Sequence, residues 1–317
     1  MKVTEHLKNA KSTLFSFEIL PPLKGESINS IFNSIEQLIE FKPAFIDVTY
    51  HREEYIYKEI QNGYLERISI RKRPGTVGIC SAITNKYQID AVPHIICGGF
   101  SVEETENALI DLSFLGIDNV LIIRGDPIKS EGSFIPDPKG HKYAIDLLRQ
   151  VNNMNQGKYL FDEVEDVQPT NFCIGVAGYP EKHYEAPNLQ SDLMYLKEKV
   201  DSGANYIVTQ MFFDNQKFYD FVTLCRDEGI NVPIIPGLKP LTTKQQLINL
   251  PKIFHIDIPE DLASEVRKCE KDSQVRQIGI EWAIQQSKDL IKFGVPCLHY
   301  YTMGKSKTTY QIASKVF

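Results

Sequence analysis

Residues 92–127 read VPHIICGGFSVEETENALIDLSFLGIDNVLIIRGDP. Two apolar runs, Val92–Cys97 and Asn119–Arg124, flank a segment from Val102 to Leu115 whose apolar residues recur at three and four. Ser101 precedes that segment with Glu104 three residues on, the reciprocal pairing of a capping box, and Gly116 supplies a stop. Strand, capped helix and strand in about 30 residues make a βαβ unit, which requires the two strands to run parallel.

The same grammar extends in both directions. Further β-branched and aromatic runs are Thr13–Leu20, Phe45–Tyr50, Phe172–Ala177, Tyr206–Phe212, Val232–Pro236 and Cys297–Thr302. Helical periodicity marks Ile28–Ile39, Tyr143–Val151, Ser191–Ser202, Gln216–Glu228 and Ile278–Phe293, and Gly203 and Gly229 close two of these segments. Parallel strands must be covered on both faces or closed on themselves, and eight runs favour closure. The expected fold is α/β, a (β/α)8 TIM barrel with elaborated βα loops, as a single domain over 1–317. Three intervals exceed the roughly 30 residues of a βαβ unit: those after Phe45–Tyr50, after Asn119–Arg124 and after Val232–Pro236. The middle one, 127–171, holds Pro127, Pro136, Pro138, Gly140 and the acidic run Asp162–Asp166, so it reads as a long loop, one helix and a surface excursion.

Composition narrows the chemistry. With 35 basic and 41 acidic residues the net charge is −6, and no basic run stands out, so nucleic acid is not an expected partner. Charges interrupt the opening MKVTEHLKNAKSTLFSFEIL before a signal-peptide core or membrane span forms, and the expected location is the cytoplasm. The six cysteines form no CxxC pair and no His stands at ligand spacing, so no metal site is indicated and most thiols are expected in the core. There is no GxGxxG after a strand. Gly304-Lys305-Ser306 lacks the first glycine of a P-loop, and HExxH and GxSxG are absent.

In a barrel the reactive groups gather at the C-terminal ends of the strands. Glu18, inside Phe17-Glu18-Ile19-Leu20-Pro21-Pro22, reads either as a desolvated general acid or as a carboxylate paired with a core Lys or Arg. Arg124-Gly125-Asp126 offers a cation and an anion about a glycine, suited to a charged planar ligand or to a plain ion pair. Gln210 is an amide able to meet a heterocycle edge or to be satisfied within the core. His94 and His299 read as packed imidazoles. His183, with Asp192, Tyr195 and Lys199 on nearly one helix face, suits a nucleotide or a solvated surface.

Taken together, FEILPP, FIDVTY, VPHIIC, IIRGDP, VAGYPEKHYEA, TQMFFD, IIPGLKP and LHYYTM occur in the order found in the methylenetetrahydrofolate reductase family, and the resemblance covers nearly the whole chain. It implies an eight-stranded barrel that binds FAD and reduces methylenetetrahydrofolate to methyltetrahydrofolate with electrons from NADH or NADPH, the two substrates alternating at one flavin. By resemblance Glu18 is the general acid that protonates folate nitrogen, and Asp126 is the carboxylate beside pterin and flavin. Gln210 and Gln246 contact substrate, and Lys305 stands near the folate tail. The implied flavin contacts are Thr49, Tyr50, His94, Arg124, Gly125, Asp126 and Ala144, with Tyr179, His183, Ala186, Asp192, Tyr195 and Lys199 holding the rest. Arg124 and Lys199 supply positive charge for pyrophosphate.

Tyr195 and Glu198 stand where bacterial members carry Asn and Arg, and Lys305 where they carry Arg. The resemblance is to the catalytic barrel without the long eukaryotic regulatory region, which implies an unregulated bacterial-type enzyme using NADH, acting as a homo-oligomer. Two other readings are a flavin barrel oxidising proline, which has no use for Glu18, and a non-catalytic barrel scaffold.

Overall fold

The structure, a computed structural model, describes residues 1–23, 25–52, 54–70, 73–128, 131–161 and 165–317. Its strands are β1 (Leu14–Ile19), β2 (Phe45–Val48), β3 (Glu54–Glu59), β4 (Leu65–Ile70), β5 (Asp90–Ile96), β6 (Asn119–Ile123), β7 (Cys173–Gly178), β8 (Tyr206–Thr209), β9 (Ile234–Ile235), β10 (Gly237–Leu238) and β11 (Cys297–Tyr301). Helices α1 (Val3–Asn9), α2 (Asn29–Glu36), α3 (Thr76–Tyr87), α4 (Val102–Phe114), α5 (Ala144–Met154) and α6 (Leu189–Asp201) serve the first half. The second half carries α7 (Asn215–Asp227), α8 (Gln246–Phe254), α9 (Glu260–Lys268), α10 (Asp272–Phe293) and α11 (Ser306–Val316).

Nine parallel strands form one sheet in the order β10-β11-β1-β2-β5-β6-β7-β8-β9. Its two ends, β9 and β10, are separated in the chain by Pro236 alone, so the sheet closes into a barrel with a seam at that residue. The expected strand Val232–Pro236 is therefore corrected to Ile234–Ile235, with a second short piece, Gly237–Leu238, beyond the proline. Proline has no N–H for a ladder, and the chain changes neighbour there. Backbone bonds nevertheless run on both sides of the seam, from Ile207 N to Pro233 O at 2.9 Å and from His299 N to Pro236 O at 3.1 Å. The eighth candidate strand of the first count and its partners keep their places, while the run Tyr206–Phe212 ends earlier, at Thr209.

The strands are buried nearly throughout, as a sheet covered on both faces demands: all four residues of β2 and of β8 are buried. Aliphatic and aromatic side chains between strands and helices form the main core, including Phe17, Ile46, Leu109, Ile122, Val176 and Phe221. Inside the lower barrel Phe45, Val92, Tyr206 and Cys297 pack with Val3 and Leu7 of α1, which closes the N-terminal end. Helix α4 is capped as its sequence requires: Ser101 Oγ accepts from Glu104 N at 3.1 Å, and Glu104 Oε2 accepts from Ser101 N at 2.8 Å. Gly116 follows at φ 70°, a conformation L side chains avoid. All six cysteines are buried and unbridged.

The long intervals hold distinct additions. After β2 an antiparallel hairpin, β3 with β4, stands outside the barrel. The interval 127–171 carries α5, and Asp162, Glu163 and Val164 of the acidic run lie outside the described residues. Before β11 come α8 and α9, which pack with α10 around Leu241, Leu250, Leu262 and Val266. Among the described residues no helix is long and apolar enough to cross a membrane.

Candidate functional site

The neighbouring strands β1, β2 and β5 converge on one buried cluster. Parallel register sets Glu18 beside Asp47 on one side and beside Tyr301 of β11 on the other. His94 of β5 brings Nε2 to 3.3 Å from Asp47 Oδ2 and 3.8 Å from Glu18 Oε2. Asp47 is 0 % exposed, His94 5 % and Glu18 9 %, so solvent screens these charges little. Burial pushes the Glu18 carboxyl up to about 7; the His94 charge opposes that, Asp47 adds to it, and Lys239 opposes it. For His94 burial is the largest influence and works against the cation, but the Asp47 hydrogen bond and the charges of Glu18 and Asp47 leave the imidazole above its ordinary value.

Lys239 follows directly on β10 and is buried; burial lowers its amine, Glu18 counters this, and Lys305 adds to the lowering. Thr302 Oγ1 donates to the Glu18 carbonyl at 2.7 Å, fixing the strand end on which the carboxyl sits. Deeper in the barrel Ser16 Oγ lies 2.9 Å from His299 Nδ1. Asp47 Oδ1, His299 Nε2 and the Tyr206 hydroxyl are buried without a hydrogen-bond partner among the described residues.

Outside this cluster a cavity of about 580 Å³ opens beside His94 and Tyr50, walled by Phe100, by the start of α3 and by Thr105 and Ala108 of α4. Thr49 donates its N–H to the Ile19 carbonyl at 3.1 Å, tying the end of β2 to that of β1. Tyr50 meets the Phe100 ring at 5.0 Å. Arg124, just beyond β6, stacks over Phe134 at 4.9 Å and is gripped by Glu185, with NH1–Oε2 at 2.5 Å and NH2–Oε1 at 3.0 Å. That guanidinium holds Glu185 below the usual carboxylate range. Gly125 adopts φ 85°, where an added Cβ would come within 3.2 Å of Ile96, and it turns the chain so that Asp126 is exposed.

The loop after β7 and the helix α6 that follows it hold a further group of these residues. Tyr179 and His183 meet edge to face at 4.8 Å, and Asp192 Oδ2 accepts the His183 N–H at 2.9 Å. Burial and then the Arg124 charge lower the His183 imidazole. Lys199 Nζ donates to the Ala177 carbonyl at 3.0 Å, and burial brings its amine down to about 8. Ala186 is buried and Tyr195 exposed on α6, while Ala144 is half-buried at the first residue of α5. Glu198 is taken by Arg149 of α5 at 2.6 Å.

The remaining residues singled out from sequence are more dispersed. Gln210 Oε1 accepts from Met211 N at 2.9 Å. Gln246 Oε1 accepts from Thr242 N at 2.7 Å and Thr243 N at 3.2 Å, anchoring the start of α8. Lys305 is exposed ahead of α11. Two charged members of the buried cluster, Asp47 and Lys239, were not singled out. Their signal was a full charge inside FIDVTY and IIPGLKP, stretches otherwise reading as core.

The methylenetetrahydrofolate reductase family pattern matches residues 2–316. A methylenetetrahydrofolate reductase (NADH) 1 of Arabidopsis thaliana is 32% identical over 321 residues, covering 97% of this chain and 49% of the plant protein. The chain thus spans about half the length of that curated relative. The Escherichia coli (strain K12) 5,10-methylenetetrahydrofolate reductase is 32% identical over 298 residues, covering 94% of this chain and 88% of the bacterial protein. Among solved structures, a Clostridium thermocellum protein described as binding two copies of 5-methyl-5,6,7,8-tetrahydrofolic acid superimposes with a TM-score of 0.57 at 16% identity, covering 98% of this chain and 97% of the other, a likeness of fold. On the match of residues 2–316 and on identity along nearly its full length, the chain belongs to the methylenetetrahydrofolate reductase family.

Proposed function

We propose that the chain, as one barrel domain over 1–317, reduces 5,10-methylenetetrahydrofolate to 5-methyltetrahydrofolate with electrons from NADH or NADPH, the two substrates taking turns at a bound FAD. The observation that carries this reading is Glu18: a carboxyl 9 % exposed, at the C-terminal end of β1, raised to about 7. Such a group keeps its proton near neutral pH and can still give it up, which is what ring opening of the folate requires.

The residues fit FAD. A cavity of about 580 Å³ beside Tyr50 and His94 has room for a planar ring system, and two cations whose charges both reach His183, Arg124 and Lys199, are available for pyrophosphate. Thr49, Tyr50, His94 and Gly125 would border the ring and ribityl part, with Ala144 at the start of α5. Tyr179, His183, Ala186, Asp192 and Tyr195 would hold the nucleotide side. Bound FAD supplies a hydride carrier between nicotinamide and folate.

The protein's own contribution is proton placement and orientation. Glu18 donates to folate nitrogen as the bridging ring opens to an iminium. Exposed Asp126 places negative charge beside that cation. Gln210 orients the pterin, and Gln246 and Lys305 extend the contact toward the tail. For Gln246 this leaves its amide N–H groups, since its oxygen anchors α8.

The test is anaerobic mixing of the purified protein with NADH and then with methylenetetrahydrofolate while the flavin spectrum is followed. Glu18→Gln is expected to bleach with NADH at the wild-type rate and to lose reoxidation by folate by 10²-fold or more, about the contribution of a general acid. Slow bleaching with normal reoxidation would show that another group is the acid, and absence of a flavin spectrum after FAD addition would sink the reading altogether.

A further inference from the structure

Asp47 is an acidic side chain in the middle of a strand with every residue buried, and a carboxylate is costly to bury unless it is compensated. Packing gives no reason for it, since its neighbours in Phe45–Val48 are all apolar. Its compensation is the imidazole of His94, 3.3 Å from Oδ2, and the same His94 nitrogen is the one that Glu18 approaches to 3.8 Å. Three consecutive strands of the sheet, β1, β2 and β5, thus carry Glu18, Asp47 and His94, and the His94 nitrogen is the atom that both acids approach. Other titratable groups face the cluster: Lys239 from the seam, Tyr301 and His299 from β11, Tyr206 from β8 and the thiols of Cys80 and Cys297.

We propose that Asp47 is a positioning residue: by fixing the ring of His94 and the charge on it, Asp47 sets when Glu18 carries its proton. This deepens the reading of Glu18 as the acid and rests on it. The imidazolium, 3.8 Å from Glu18, acts on it more strongly than the repulsion from Asp47, so losing the imidazolium is expected to outweigh losing that repulsion. Removing the Asp47 charge takes away the partner that sustains the imidazolium against burial. Glu18 then loses its nearest cation, holds its proton more tightly and delivers it less readily.

The test follows the His94 imidazole and the Glu18 carboxyl by NMR of the isotope-labelled full chain, together with the pH profile of flavin reoxidation by methylenetetrahydrofolate. In Asp47→Asn the His94 titration is expected to move to lower pH and that of Glu18 to higher pH. The alkaline limb of reoxidation moves with Glu18, and the rate at neutral pH falls about tenfold, a modest part of what a general acid supplies. In a His94→Gln background the same Asp47→Asn change is expected to move Glu18 the other way, because direct repulsion between two carboxylates is all that it removes. That sign reversal is not produced by loosened packing, and if Asp47→Asn does not fold, His94→Gln by itself must raise the Glu18 titration.

Unchanged titrations in Asp47→Asn, or a shift of the same sign in both backgrounds, would overturn the proposal. Should Glu18→Gln reoxidise normally, the assignment of Glu18 as the acid fails, and the titrations still judge the coupling of Asp47 to Glu18 through His94.

Discussion

Glu18 illustrates how a buried carboxyl costs stability. Its folded value of about 7 lies above the ordinary 4.5, so the folded state binds the proton more tightly than the unfolded chain. A carboxyl raised in this way leaves stability intact below about pH 4.5, erodes it as pH climbs to about 7, and adds no further loss beyond. Glu18→Gln removes that loss. Its thermal midpoint is expected to match wild type at pH 4 and to exceed it above pH 7 by a few degrees, on the order of 5 °C for a linkage of a few kcal/mol. Scanning calorimetry across that range checks this; a gap independent of pH would mean the carboxyl is not raised.

At the scale of elements, the close approach between α10 and the turn after β10 sets the position of the α8–α9 excursion. Gly279 of α10 lies so near the Leu241 backbone that a Cβ there would meet the carbonyl oxygen. Gly279→Ala should gain about 1 kcal/mol in helix propensity and lose about 2–3 kcal/mol by overpacking, so packing wins. Urea unfolding is expected to show net destabilisation of about 1–2 kcal/mol, and a stabilised variant would mean the helix is free to shift. Sequence foretold the helix here but not the contact, because periodicity reports which face is apolar and says nothing about how near a backbone comes. The same holds for the hairpin β3 with β4: the interval was visibly too long, yet its exposed Ile56, Tyr57, Tyr64 and Leu65 carry no core pattern to announce two strands.

For the whole molecule, the two ends of the barrel divide stability from chemistry. At the lower end Val3 and Leu7 of α1 plug the interior, Val3 N donates to Asn119 Oδ1 at 2.8 Å, and His6 lies 2.7 Å from Asp90. Leu7→Ala is expected to cost about 2–3 kcal/mol in urea unfolding while the two flavin half-reactions proposed above keep their rates. A matching loss of turnover would show that the plug is coupled to the mouth. The barrel was legible because its repeat is local, strand, helix and stop recurring down the chain. Glu18 and Arg124 were legible because each stands at a strand end, whereas His94, inside β5, read as a packed imidazole and came forward only through the family resemblance. Asp47 and Lys239 escaped because their meaning depends on which strands become neighbours, and the seam at Pro236 decides that for Lys239.

If Arg124 takes the pyrophosphate proposed above, the grip of Glu185 on it has a consequence for how that anion is loaded. The guanidinium is neutralised before any phosphate arrives, so loading is a swap of one counter-ion for another and not the filling of a bare positive pocket. On the cofactor reading proposed above, an affinity would report the preference of Arg124 for pyrophosphate over its resident carboxylate, a difference between two bonds. Because Glu185 is tethered and always at hand, it sets a standing threshold that weakly held anions fail to cross.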